Sequence, residues 1–133
     1  MPSIAFATKR AGVQPDATAP DGSEVRLLCA TERGSMAHFR LPPGVVAKPV
    51  AHRTVEEIWF VLGGQGRLWR RAADGREETA KLAPGLSLTI PTGTAFQFRC
   101  DGNEPLDIVA VTMPPWPGPD EAYLAEGVWP ATL

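Results

Sequence analysis

The sequence predicts an all-β protein of the sandwich or barrel class. Three observations carry that expectation: short apolar runs with a two-residue period, turn-forming residues at close and regular spacing, and very little of helical composition. The chain has 14 Pro and 13 Gly in 133 residues, and they punctuate short apolar runs. With 44% hydrophobic and 21% charged residues, it suits a single core in a single domain spanning 1–133, with a barrel core over about 24–112 and a C-terminal arm over 113–133.

Strands are expected at EVRLLCA (24–30), SMAHFRL (35–41), VVAKPV (45–50), EEIWFVL (56–62), GRLWRR (66–71), EETAKL (77–82), LSLTIP (86–91), AFQFRC (95–100) and LDIVAVT (106–112). β-branched and aromatic residues favour the pleated surface in most of them. Between them lie LPPG, LGGQG, AADG, APG, PTG and DGN, which supply the Gly, Pro, Asp and Asn that tight turns require. The one helical stretch predicted is DEAYLAE (120–126), with Asp120 placed to cap it.

A net charge of −2 supplies no electrostatic footprint for nucleic acid or anionic lipid, and no uncharged run reaches the roughly 18 residues of a membrane span. A cytoplasmic protein is the expectation. Cys29 and Cys100 lack a CxxC spacing and sit in apolar strands, which predicts two buried thiols.

Alternation assigns faces. Glu57, Trp59 and Val61 share one face of their strand, and Ile58, Phe60 and Leu62 share the other, so both faces need cover from a second sheet or a second subunit. Phe96, Phe98 and Cys100 share a face, with Gln97 on the opposite side. The tail, with Trp116 and Trp129 among prolines, cannot form central strands and is expected to pack across the barrel or a partner.

Two spaced patterns tie these segments to a family. Gly44 is followed by five residues, then Val50, Ala51, His52, four residues, Glu57, six residues and Gly64; Gly85 is followed by five residues, then Pro91, Thr92, Gly93, two residues, Phe96, three residues and Cys100. These frames resemble the cupin motifs G(X)5HXH(X)3,4E(X)6G and G(X)5PXG(X)2H(X)3N. The resemblance implies a cupin-type jelly roll, also called a double-stranded β-helix barrel, with His52 and Glu57 facing inward. It also implies a homodimer formed through outer sheets.

A cupin metal site takes two histidines and the glutamate of the first motif plus the histidine of the second. Here Val50 and Phe96 occupy two of those positions, which leaves His52 and Glu57. The chain has two histidines in all, His38 and His52. His38 would complete a two-histidine, one-carboxylate set only if its strand register allowed it, and the sequence does not give that register. No tightly bound cofactor is therefore expected, with a weak divalent ion (Zn, Mn, Fe or Ni) as the alternative.

Val50, Trp59, Val61, Phe96 and Phe98 would line a mostly apolar cavity, with Arg40 as a charge able to meet Glu57 or a ligand carboxylate. Three functions follow. The chain binds a small, partly apolar organic molecule; or it is a metal-dependent dioxygenase or isomerase; or it is a metal-free sugar isomerase or epimerase with His52 and Glu57 as acid and base.

Overall fold

The computed structural model describes residues 5–133. It contains eleven strands and, among the described residues, no helix. In chain order they are β1 (Ala17–Thr18), β2 (Glu24–Ala30), β3 (Ser35–Leu41), β4 (Val50–His52), β5 (Glu56–Gly63), β6 (Gly66–Arg71), β7 (Glu77–Leu82), β8 (Ser87–Ile90), β9 (Ala95–Cys100), β10 (Leu106–Met113) and β11 (Ala122–Leu124). They form two sheets, one ordered β1-β2-β3-β10-β5-β8 and the other β11-β4-β9-β6-β7, and every pairing is antiparallel. This is a jelly roll, the cupin arrangement.

The two-residue period decides what lies between the sheets. On β5, Glu57, Trp59 and Val61 are buried, while Ile58, Phe60 and Leu62 are exposed. On β10 the inward set is Leu106, Ile108, Ala110 and Thr112. Phe96, Phe98 and Cys100 of β9 and Leu68 of β6 close the core from the opposite sheet. Removing any one of the larger of these side chains would cost about 2–5 kcal/mol in lost burial and cavity.

Three glycines of the two spaced patterns close equivalent turns. Gly44 (φ 77°), Gly85 (φ 92°) and Gly93 (φ 81°) each stand third in a four-residue turn, with fourth-to-first hydrogen bonds Val45 N to Pro42 O, Leu86 N to Ala83 O and Thr94 N to Pro91 O. A positive φ at that position is the type II signature, and Pro43 and Pro84 precede two of the glycines as that turn favours. The fourth pattern glycine, Gly64 (φ 82°), is required by space as well, because a Cβ there would collide with the Pro105 carbonyl oxygen.

Two expected elements differ. The segment 45–50 is not a strand: Val46 makes one isolated bridge to Arg99, and β4 begins at Val50. Pro49 has no N–H for a ladder, and Ala47 N and Lys48 N are already taken by Phe98 O and Asp21 O. The expected helix at 120–126 is instead strand β11, paired with β4 from Ala122↔His52 to Leu124↔Val50. Seven residues are too few to repay helix nucleation, and the open edge of β4 offers ladder bonds at once.

The tail runs across the barrel. Buried Gln97 anchors it: the amide donates to Ala47 O and Trp129 O, and its oxygen accepts from Val128 N and Trp129 N. Arg99 lies over the Trp129 ring at 4.6 Å. Both cysteines are free thiols; Cys100 is buried as expected, whereas Cys29 on β2 is only half-buried.

Candidate functional site

His52 is the last residue of β4 and Glu57 the second of β5, and both side chains point between the sheets. Their exposures are 5% and 3%. His52 Nδ1 and Glu57 Oε1 stand 4.0 Å apart, too far for a hydrogen bond, and His52 Nδ1 has no partner at all. Glu57 Oε2 accepts from Trp59 Nε1 at 2.8 Å, a bond the sequence allows because residues i and i+2 share a strand face.

Burial pushes Glu57 up to about 7, the Asp21 charge adds to the rise, and the Trp59 hydrogen bond opposes it. Burial pushes His52 down to about 4, with the Glu121 carboxylate pulling the other way. At neutral pH the imidazole is therefore uncharged and the carboxyl is near its midpoint.

The pair opens into a cavity of about 790 Å³, bounded by the inner faces of β2, β3 and β5 and by the arm. Trp59, Phe96, Val50, Phe39 and Trp116 supply apolar wall. Aromatic edges frame the imidazole: His52 meets Phe96 and Trp116 edge-on, each at 5.2 Å, and Trp59 meets Phe96 at 5.8 Å. Val61 and Phe98 are not on the cavity surface; they are fully buried beneath it, with Phe98 packed against Trp59 at 5.0 Å.

Arg40 does not reach Glu57. The register pairs Asp107 with Arg40 and Val109 with both His38 and Phe60, which puts Arg40 and His38 on the outer face with Phe60. There both meet Asp107, Arg40 Nε at 2.7 Å and His38 Nε2 at 2.8 Å from Oδ1. His38 is therefore on the wrong side of the sheet to share an ion with His52 and Glu57.

Three site residues escaped the sequence reading. Asp21, in the turn before β2, is buried at the cavity; its Oδ1 accepts from Ser23 N and Oγ, and burial raises its pKa despite these bonds. The DGS turn signals the Asx geometry, but nothing in the sequence signals its burial. Trp116 was read only as part of the arm. Glu121, just before β11, accepts from Thr54 N (2.7 Å), Thr54 Oγ1 and Val55 N (3.0 Å), fixing the arm behind His52. Burial alone would raise the Glu121 pKa, but these bonds outweigh it and the net shift is downward.

The four-ligand metal site implied by the two motifs does not fit these residues. The two replaced positions face each other directly, Val50 paired with Phe96 across β4 and β9, and neither carries a donor atom. Among the described residues no group of three or more His, Cys, Asp or Glu side chains is placed to hold a metal ion.

Comparison with known proteins agrees with the architecture. A cupin-domain family model matches residues 37–112. No curated protein matches in sequence. Among solved structures, the capsular polysaccharide assembling protein CapF from Staphylococcus aureus is similar with a TM-score of 0.69 and 17% identity, over 79% of this chain and 30% of that one. Bacillus subtilis oxalate decarboxylase, described with Mn(II) centres, is similar with a TM-score of 0.64 and 19% identity, over 74% of this chain and 27% of that one. KdgF from Halomonas sp. gives a TM-score of 0.61 and 17% identity, over 70% of this chain and 79% of that one. The chain thus spans about a third or less of CapF and oxalate decarboxylase, and at these identities the likeness is one of fold. No helix among the described residues is long and apolar enough to cross a membrane. With more than half of its length matched by the family model, on a jelly roll whose motif glycines close the turns, the chain belongs to the cupin family.

Proposed function

We propose that the chain binds a small, partly apolar organic molecule in the barrel cavity, with His52 and Glu57 as its polar contacts and without a stoichiometric metal ion. The observation that carries this reading is the unpartnered, buried His52 Nδ1 facing Glu57 Oε1 across 4.0 Å at the floor of an apolar cavity of about 790 Å³. That volume is typical of organic ligand sites, about 300–1,000 Å³, and few convergent polar groups on apolar walls are their usual make-up. An orphaned buried nitrogen costs about 1–3 kcal/mol, which a hydrogen-bonding ligand would recover. A catalytic zinc site normally has three protein ligands plus water, and two donors fall short of it.

A second reading has its own support. Glu57 at about 7 beside His52 at about 4 makes a carboxyl that exchanges its proton near neutrality next to an uncharged imidazole, a combination suited to metal-free acid–base chemistry. The two readings separate on Glu57→Gln, which abolishes turnover in the second and only alters affinity in the first.

We also propose a homodimer. Ile58, Phe60 and Leu62 are 46%, 45% and 51% exposed on the outer face, and Val109 and Val111 extend the apolar strip across β10. A second copy would cover it without burying an unpaired charge, since His38 and Arg40 already share Asp107. The two free thiols support a reducing, cytoplasmic location.

Elemental analysis of protein purified without chelator tests the metal-free assignment. Content far below one ion per chain is expected. Near one ion per chain, lost on His52→Ala, would overturn the reading and favour a metalloenzyme.

A further inference from the structure

Apart from Lys9 on the exposed N-terminal segment, the ionisable side chains that face the cavity are acids and one uncharged imidazole. Glu57 rises from β5 and Asp21 from the turn before β2, and both are buried. His52 offers a neutral ring, and Glu121 lies behind it. The cations nearest in sequence are turned away: Arg26 donates to Gly12 O and Val13 O, and Arg40 is held by Asp107 on the outer face. Among the described residues the one cation lining the cavity is Lys9, on the exposed N-terminal segment. A ligand carboxylate or phosphate would meet two acids and no buried partner, at a heavy desolvation cost.

The remaining wall adds a preference of the opposite sign. Trp59, Phe96 and Trp116 surround the space beside His52, and aromatic faces attract cations. An atom bridging His52 Nδ1 and Glu57 Oε1 across 4.0 Å can sit about 2.8–2.9 Å from each, the ordinary length of a hydrogen bond to nitrogen or oxygen. Such an atom must donate to the carboxylate oxygen, and it meets the orphaned imidazole nitrogen by donating where Nδ1 is the bare nitrogen of the neutral ring and by accepting where Nδ1 carries the hydrogen. A hydroxyl can fill either role, so the charge of the head discriminates rather than its hydrogen count: an ammonium places a positive charge beside the carboxyls of Glu57 and Asp21.

We propose that the cavity selects an apolar amine, a molecule with an aromatic or aliphatic body against Trp59, Phe96 and Trp116 and a protonated amine head donating to Glu57 Oε1 beside the His52 ring. This rests on the reading of the cavity as a ligand site and goes beyond it by fixing the sign of the head. Asp21 reinforces the choice, since a second carboxyl nearby favours a cation over any neutral head.

Three probes with one body and different heads test it: phenethylamine, phenethyl alcohol and phenylacetate, titrated calorimetrically into the full chain. Phenethylamine should bind at least about tenfold more tightly than the alcohol, and phenylacetate weakest of the three. Glu57→Gln should erase the advantage of the amine while leaving the alcohol bound. Should that variant not fold, the ranking on the unmodified protein decides the matter alone. Alcohol binding with no advantage for the amine, or phenylacetate binding as well as the amine, overturns the amine preference and leaves the ligand site standing. Binding of none of the three overturns the ligand site and this proposal together.

Discussion

His52 and Glu57 are displaced in opposite directions from their ordinary pKa values, and their effects on stability should hide one another until one is removed. Glu57 moves from 4.5 to about 7, so the folded state keeps a proton that the unfolded chain releases. Stability then falls as pH rises through that window. His52 moves from 6.5 to about 4, so the unfolded chain takes up a proton that the folded state refuses, and stability rises with pH across that window. Each displacement corresponds to about 3 kcal/mol. Between pH 4.5 and 6.5 the two slopes cancel, and the wild type should show little net dependence from this pair. Glu57→Gln should expose the histidine, with stability climbing by about 3 kcal/mol from pH 4 to 6.5, and His52→Asn should expose the glutamate, with stability dropping by a similar amount from pH 4.5 to 7. Asp21, shifted up, is coupled to Glu57, and Glu121, shifted down, is coupled to His52, so the comparison rests on the opposite signs of the slopes that the two variants expose. Urea unfolding at a series of pH values across this range reads it directly. Curves for both variants parallel to wild type would refute the reasoning, because they would mean that burial displaces neither side chain's titration.

Phe96→His, which restores a donor opposite Val50, should raise affinity for zinc or manganese by at least about tenfold, read by competition with a chromophoric chelator; unchanged affinity would show that β9 does not aim this position at His52. Gln97→Ala removes all four hydrogen bonds between that amide and the chain around it and should cost about 3 kcal/mol while making the segment after Glu121 the first site of proteolysis; protection equal to wild type would place the anchor elsewhere. Phe60→Glu should convert a sedimenting dimer to a 14.3 kDa monomer without loss of fold; a wild-type monomer at micromolar concentration would remove the outer-face interface.

The fold was legible because its signals are local. Period-two runs located β2, β3, β6, β7 and β9 to the residue, and the turn glycines announced positive φ through their proline neighbours. Parity grouped Glu57, Trp59 and Val61 on one face and set Gln97 opposite Phe96, and the motif resemblance said which face is inward. The features that did not follow depend on contacts between distant segments. DEAYLAE has helical composition, but it lies beside an edge strand that pairs with it. Arg40 was expected at the cavity and His38 had no assigned face, because the β3–β10–β5 register that turns both outward is set by pairing across some 70 residues. Asp21 and Trp116 complete the cavity from opposite ends of the sequence, and no spacing rule links a turn before β2 to a proline-rich arm after β10.

The four tryptophans allow the central claim to be tested in one spectrum. Trp59 and Trp116 line the cavity, whereas Trp69 donates to Glu77 and Trp129 packs under Arg99, both on the far sheet. In a proton–nitrogen correlation spectrum with the indole peaks assigned by single Trp→Phe variants, titration with phenethylamine should shift the Trp59 and Trp116 indole signals together and saturably, leaving those of Trp69 and Trp129 in place. Shifts confined to Trp69 and Trp129, or four unmoved indoles at saturating probe, would contradict the assignment of the cavity over His52 and Glu57 as the binding site.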